Sequence, residues 1–142
     1  MGMLIYKKRH KKKIIARSVN KYLSRVMFAF YGMKAAVSSV LMPKQVETAR
    51  RVISRITKRT GKVVIRVFFT EPITKKALAS RMGKGVGPVK LWIARIPKGM
   101  VFLEIGNVSK LLAFKAFKAA SLRLPMKVEF VSRDVYTKTK FN

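Results

Sequence analysis

Val89-Lys-Leu-Trp92-Ile-Ala-Arg95-Ile96-Pro97-Lys98-Gly99-Met100-Val-Phe-Leu-Glu104-Ile105 is the stretch that decides the fold. Two runs rich in β-branched and aromatic residues flank Pro97-Lys98-Gly99. That pattern predicts strand, tight turn and returning strand, so residues 89–105 are expected to form an antiparallel hairpin. Trp92 could stack on a base, but a single Trp in a strand is more commonly a core residue.

Immediately upstream lies Ala79-Ser-Arg81-Met82-Gly83-Lys84-Gly85-Val86-Gly87-Pro88. Alternating glycines permit positive φ and leave backbone N–H groups uncovered. The nearest acids are Glu71 and Glu104, so nothing local neutralises Arg81, Lys84 or Lys90. Such a segment can be a mobile hairpin tip with solvated cations, a nucleotide phosphate loop, or a loop that reaches RNA. The nucleotide loop fits poorly. A Walker loop needs Ser or Thr after Gly-Lys, and Lys84 is followed by Gly85. A dinucleotide fingerprint needs a helix after its last glycine, and here a strand follows.

Further upstream, Val63-Val-Ile-Arg66-Val-Phe-Phe69 reads as a strand, with Thr70 to Leu78, containing Pro72, as a connection. Residues 43–59 read as a helix. Pro43 suits its first turn, Gln45 and Glu47 suit its positive end, and Gly61 is placed to end it. Val46, Ala49, Val52, Ile53 and Ile56 form its buried stripe, while Lys44, Arg51, Arg55, Lys58 and Arg59 line much of the rest. With Glu47 as the one nearby acid, that basic face suits phosphates better than solvent. Downstream, Asn107 or Ser109 can cap a second helix near 108–123. Its expected buried face is Val108, Leu111, Leu112, Ala116 and Ala119, with Phe114 and Phe117 off the main stripe. Met126 to Val131 alternates as a final strand, and the tail from Ser132 is polar and basic. The architecture expected is α+β: two helices packed on one face of a mainly antiparallel sheet, with a projecting glycine-rich loop.

Residues 26–42 are mostly apolar. They are short for a membrane span, and Lys34 falls in their middle, so no span is expected. Gly32 is expected to break them into two short extended pieces, with Phe28, Phe30 and Val37 on the core. Residues 1–25 form a basic arm whose densest part is Tyr6-Lys7-Lys8-Arg9-His10-Lys11-Lys12-Lys13. The arm has too little apolar area to order on its own, and it is expected to do so on binding. A basic, acid-poor N-terminus also suits a mitochondrial presequence. Residues 26–142 are expected to make one domain.

Composition limits the function. The chain has 142 residues, with 33 Lys+Arg against 5 Asp+Glu, a formal charge of +28. Such a chain repels itself strongly, and a polyanionic partner removes the penalty. Hydrophobic residues make up 49%, enough for a core beneath that surface. The absence of cysteine excludes disulfides and thiolate metal sites. His10 is the single histidine, and the acids Glu47, Glu71, Glu104, Glu129 and Asp134 are scattered. Neither a zinc site nor a general acid–base pair is suggested, so no enzyme activity, cofactor, metal or small-molecule substrate is expected.

The order of motifs resembles large-subunit ribosomal protein sixteen of bacterial-type ribosomes over about residues 6–131. The most specific matches are Arg81-Met-Gly-Lys-Gly85, Trp92-Ile-Ala94, Pro97-Lys-Gly99 and Phe102-Leu-Glu104. Phe30-Tyr-Gly-Met-Lys34-Ala, Ala49-Arg50-Arg51, Gly61-Lys62, Ile65-Arg-Val-Phe68, Pro72-Ile-Thr-Lys75, Ala116-Phe-Lys118 and Leu124-Pro-Met-Lys127 complete the series. The resemblance implies a non-catalytic constituent of the large subunit that binds large-subunit rRNA beside the tRNA sites near the peptidyl transferase centre. It implies tRNA and neighbouring ribosomal proteins as further partners. On this basis Lys7, Lys8, Arg9, His10, Lys11, Lys12, Lys13, Lys34, Arg50, Arg51, Arg55, Lys58, Arg59 and Lys62 are candidate rRNA contacts. Arg81, Met82, Gly83, Lys84, Gly85 and Gly87 are the candidate tRNA-site loop. The chain departs from the family at Val86, where a cation is usual, at Met42, where a Thr cap is usual, and in its Lys- and Ile-rich arm. It aligns almost from its start, which leaves little room for a removable presequence. These features favour a mitochondrial ribosome with the protein made inside the organelle, with plastid and bacterial ribosomes as alternatives.

Overall fold

The structure, a computed structural model, describes residues 19–20, 22–83, 85–133 and 139–140. Two antiparallel sheets share the strands. The larger has five strands in the order β3-β6-β1-β7-β8: Lys62–Ile65 (β3), Val101–Gly106 (β6), Tyr31–Ala35 (β1), Val128–Ser132 (β7) and Thr139–Lys140 (β8). The smaller has the order β2-β5-β4: Ser39–Leu41 (β2), Val89–Ile96 (β5) and Glu71–Thr74 (β4). Helices α1 (Pro43–Ile56) and α2 (Lys110–Ser121) pack on each other. Against the five-stranded sheet, α1 meets β3, and α2 meets β1 and β7. The α+β architecture with two helices on an antiparallel sheet is the one expected.

The hairpin over 89–105 does not form as such. Both strands exist, but β5 pairs with β2 and β4, while β6 pairs with β1 and β3. Pro97-Lys98-Gly99, with Gly99 at φ +90°, carries the chain from one sheet to the other. Ala35 holds the crossing: its carbonyl accepts from Gly99 N–H at 2.7 Å, and its N–H donates to the Met100 carbonyl at 2.9 Å. A strand–turn–strand pattern fixes direction, and pairing goes to whichever neighbours bury both faces. The real hairpin is β4–β5. Strand β4 lies inside the expected connection and carries Pro72, which an edge strand tolerates because its outer N–H needs no partner. The described glycine-rich residues 75–83 and 85–88 therefore lie at a hairpin tip.

Other boundaries moved for local reasons. Gly32 lies within β1, and the break falls at residues 36–38. A Cβ at Gly32 would lie 2.8 Å from Val26 Cγ2 and 2.9 Å from Val101 Cγ1, so this glycine makes room for packing. Phe28, Phe30 and Val37 are exposed, against expectation. Strand β3 stops at Ile65, short of the expected Phe69. Helix α1 ends at Ile56, before Gly61; a Cβ at Gly61 would lie 2.9 Å from both Ile105 and Val108. Helix α2 buries Ala113, Ala116, Phe117 and Ala120, and Leu111 faces water at 77% exposure. Its face is rotated from the expected stripe because Phe130 on β7 gathers three rings around it. Phe114 and Tyr31 have centroids 5.6 Å away and Phe117 5.9 Å. Strand β8 in the basic tail was not expected.

The main core lies between the helices and the sheet and includes Met33, Leu103, Ile105, Val46, Ala49, Ile53, Phe117 and Phe130. Leu41, Ala94 and Ile96 extend it under the smaller sheet. Residues 26–42 supply β1 and β2, and among the described residues no helix is long and apolar enough to cross a membrane.

Candidate nucleic-acid interface

Helix α1 presents its buried stripe to the core as the spacing predicts: Val46, Ala49 and Ile53 are buried, with Val52 and Ile56 partly so. The opposite side is therefore polar by geometry. Met42 has no oxygen to cap the helix, and the Gln45 carboxamide takes part of that role by accepting from the Met42 N–H at 2.9 Å. At the far end, Thr57 Oγ1 donates to the Ile53 carbonyl at 3.0 Å, and the Arg59 N–H donates to the Ser54 carbonyl at 2.9 Å. Lys58 and Arg59 close this cap at φ +50° and +65°. Long L side chains are uncommon there, and glycine would be the easier choice. The turn points both cations back beside Arg50, Arg51, Ser54 and Arg55. Together with Gly61 these residues line an open cleft of about 670 Å³.

The electrostatics of the cleft are lopsided. Glu47 accepts from Arg50 Nε and Nη2, both at 2.8 Å, and from Arg51 Nε at 3.0 Å. The Arg50 bonds first, then those of Arg51, lower the Glu47 pKa to about 2, and Glu47 raises that of Arg50. Among the described residues, Arg55, Lys58 and Arg59 have no acidic partner. Part of this arrangement serves the helix, since cations are favoured at its negative end. Exposed arginines beside a shared, already committed carboxylate nonetheless form a site that a phosphate oxygen can enter.

A second candidate region is the tip of the β4–β5 hairpin. Gly83 and Gly85 sit at φ +94° and +72°, with nothing within 4 Å of a Cβ built on either. Gly87 is different: a Cβ there would lie 2.8 Å from the Lys75 carbonyl carbon and oxygen. The two stems of the loop touch at that point, and the Lys75 N–H donates to the Pro88 carbonyl at 3.2 Å. Lys76 Nζ donates to the Gly83 carbonyl, which folds the tip back on its stem. Arg81 and Met82 are fully outside, Met82 at 99% exposure.

The structure brings Arg50, Arg51, Arg55, Lys58 and Arg59 to one cleft. Lys62 begins β3 just beyond it and is exposed. Lys34 lies apart on β1, partly buried, with its Cε 3.7 Å from a Cβ built at Gly99. Lys7, Lys8, Arg9, His10, Lys11, Lys12, Lys13 and Lys84 lie outside the described residues. Among the described residues no three His, Cys, Asp or Glu side chains gather as metal ligands.

One cluster was missed by sequence reasoning. Glu104 is 0% exposed on β6, between Leu103 and Ile105, which face the helices; strand alternation turns it to the other side of the sheet. There its carboxylate pairs with Arg66 Nη1 at 2.6 Å. It also accepts from three successive backbone N–H groups, Met27 at 3.1 Å, Phe28 at 2.7 Å and Ala29 at 2.9 Å. Arg66 donates in turn to the carbonyls of Arg25 and Tyr22. The Val101 N–H donates to the Leu23 carbonyl at 2.8 Å, and Val26 packs with Val101 and Val131. Residues 22–29 thus form a strap fixed across the sheet face opposite the helices. The signal available in the sequence was an acid in an apolar strand, Phe102-Leu-Glu104-Ile105, with Arg66 in another: a charge that must be paired if buried.

The family model described as ribosomal protein L16p/L10e matches residues 4–131. A curated relative, large ribosomal subunit protein uL16 from Buchnera aphidicola subsp. Baizongia pistaciae (strain Bp), is 43% identical over 130 residues, covering 92% of this chain and 93% of the relative. The match runs through the strap, the cleft and the glycine loop alike, and the chain belongs to the ribosomal protein L16p/L10e family.

Proposed function

We propose that this chain, by its family a structural constituent of the large ribosomal subunit, binds large-subunit rRNA through the α1 cleft and the N-terminal arm and lends its glycine loop to the tRNA site. The observation that carries this reading is the cleft: five cations around one pocket, with a single carboxylate that Arg50 and Arg51 already occupy. RNA phosphates supply the missing negative charge. Arg55 and Arg59 can each fork two donors onto one phosphate, Lys58 adds a point charge, and the Ser54 hydroxyl can donate as well. Lys34 and Lys62 would extend the contact beyond the cleft. The loop would act by close approach, because Gly83 and Gly85 leave its backbone bare and Arg81 can pair with a phosphate or stack on a base. No bond is made or broken by the protein; it holds RNA segments in place.

The test is crosslinking within purified ribosomes, with RNA sites mapped. Crosslinks from Arg55, Lys58 and Arg59 to large-subunit rRNA, and from Arg81 to tRNA or to the RNA around it, are expected. Crosslinks confined to other faces of the protein would overturn the assignment. In particles carrying Arg81→Ala or Gly85→Val, subunit incorporation should persist while tRNA binding falls. For the compartment, the departures at Met42, Val86 and the Lys-rich arm favour a mitochondrial ribosome, and the bacterial relative favours a bacterial one. Mass spectrometry of ribosomes from fractionated source cells decides between them.

A further inference from the structure

Phe28 combines two properties that do not ordinarily occur together. It is 68% exposed, and its backbone is fixed by hydrogen bonds at its own N–H and at those of both neighbours. Its own N–H and those of Met27 and Ala29 end on the buried Glu104 carboxylate. The Arg66 guanidinium lies under its ring, 5.7 Å from the centroid. That guanidinium is only 6% exposed and cannot swing away, because Glu104 and the carbonyls of Arg25 and Tyr22 hold it. One face of the ring is thus backed by a fixed cation, and the other faces solvent.

The local charge narrows what could sit there. Arg66 and Glu104 neutralise each other at 2.6 Å, so the cation beneath the ring, unlike those of the α1 cleft, is already committed and is not offered to a phosphate. What it offers is a flat π surface of fixed orientation. On a chain of net charge +28 the complementary macromolecule is a polyanion, and the part of RNA that suits a π surface is a splayed base. A rigid ring loses little freedom on stacking, which is what the strap provides.

We propose that Phe28 is a stacking platform for an unpaired nucleobase of the bound RNA, with Arg66 and Glu104 as its positioning residues. This rests on the RNA-binding function proposed above, and it adds a contact on the sheet face opposite the helices. The probe is full-length large-subunit rRNA transcribed in vitro, titrated with the full chain at several salt concentrations. Phe28→Ala and Phe28→Leu should each weaken binding about tenfold, the scale of losing one stacked base, while Phe28→Trp should bind like the parent. The slope of log affinity against log salt should stay unchanged in all three, since no phosphate contact is lost. If Phe28→Ala also melts lower, the Leu and Trp variants, which keep bulk over Arg66, carry the decision. Parental affinity in Phe28→Leu would overturn the proposal, because apolar bulk alone, as for a protein partner, would then suffice. A flatter salt slope in that variant would overturn it too, by showing a phosphate site. Parent protein with no salt-dependent binding would instead overturn the RNA-binding function itself.

Discussion

The strap side of the sheet and the α1 cleft handle charge in opposite ways. At Glu104, a fully buried carboxylate has Arg66 and three backbone N–H groups, and both ions are used up inside the protein. In the cleft, Arg50 and Arg51 share Glu47, while Arg55, Lys58 and Arg59 have no acidic partner among the described residues. Glu71 follows the first pattern, bonding Arg95 at 2.6 Å. Few acids are present, and three of them hold particular arginines in place. The lesson is that net charge alone does not locate a binding surface: cations matched by acids build the fold, and cations left unmatched await a partner.

The largest effect that would sharpen this contrast is at Glu104. Glu104→Ala leaves Arg66 buried without its partner and three N–H groups without an acceptor, and should cost about 3–5 kcal/mol of stability. Chemical denaturation of the free protein reads this. A loss below about 1 kcal/mol would mean the strap contributes little to the fold.

Gly87→Ala comes next. Its Cβ meets backbone, not a yielding side chain, so the loop stems must part, at about 1–3 kcal/mol. Hydrogen exchange at the Lys75 N–H, which bonds to the Pro88 carbonyl, should quicken while core amides stay protected. Unchanged exchange at Lys75 would show that the stems do not depend on this close approach.

Arg59→Gly separates fold from function within one residue. Glycine relieves the positive φ at this helix end, so stability should hold or rise by up to roughly 1 kcal/mol. RNA binding should fall, because a cleft cation is gone. A lower melting temperature together with full RNA affinity would place Arg59 among the structural cations.

The smallest effect is at Glu47. Its pKa is lowered from 4.5 to about 2, chiefly by the Arg50 hydrogen bonds and then by Arg51. A lowered carboxyl contributes stability that is complete above its unfolded value and is lost as pH falls through the folded one. Between pH 4.5 and 2, Glu47→Gln should therefore show a shallower loss of melting temperature than the parent. At neutral pH the variant should bind RNA slightly more tightly, since Arg50 and Arg51 are released. Identical acid limbs would mean that solvent already screens this exposed pair.

Much of the fold was legible in periodicity. The stripe Val46, Ala49, Ile53 and the alternation from Val128 to Val131 mark elements whose buried faces are set by local spacing. Partner choice between strands was not legible: β5 and β6 are adjacent in sequence yet belong to different sheets, and only burial on both sides decides that. Strand β4 was hidden by Pro72, which argues against a central strand but not an edge one. The rotation of α2 depended on Phe130, a residue on another element. In the candidate site, the cations of α1 were legible because helical spacing places them. The turn at Lys58 and Arg59 was not, because no glycine marks it. The strap was harder to read: the charge in the apolar strand at Glu104 signalled a partner, but Arg66 lies far from it in sequence.

The central claim is that the unmatched cations of the cleft serve RNA phosphates. Its most direct test is the affinity of the full chain for large-subunit rRNA across a salt series, beside that of an Arg55→Ala/Lys58→Ala/Arg59→Ala variant. About five neutralised phosphates predict a slope of log affinity against log salt of roughly −3.5 or steeper for the parent. The triple variant should be shallower by about two units and still unfold cooperatively, losing only the modest stabilisation that these cations give the helix end. A parent affinity that barely moves with salt, or a triple variant with the parent's slope, would contradict the account.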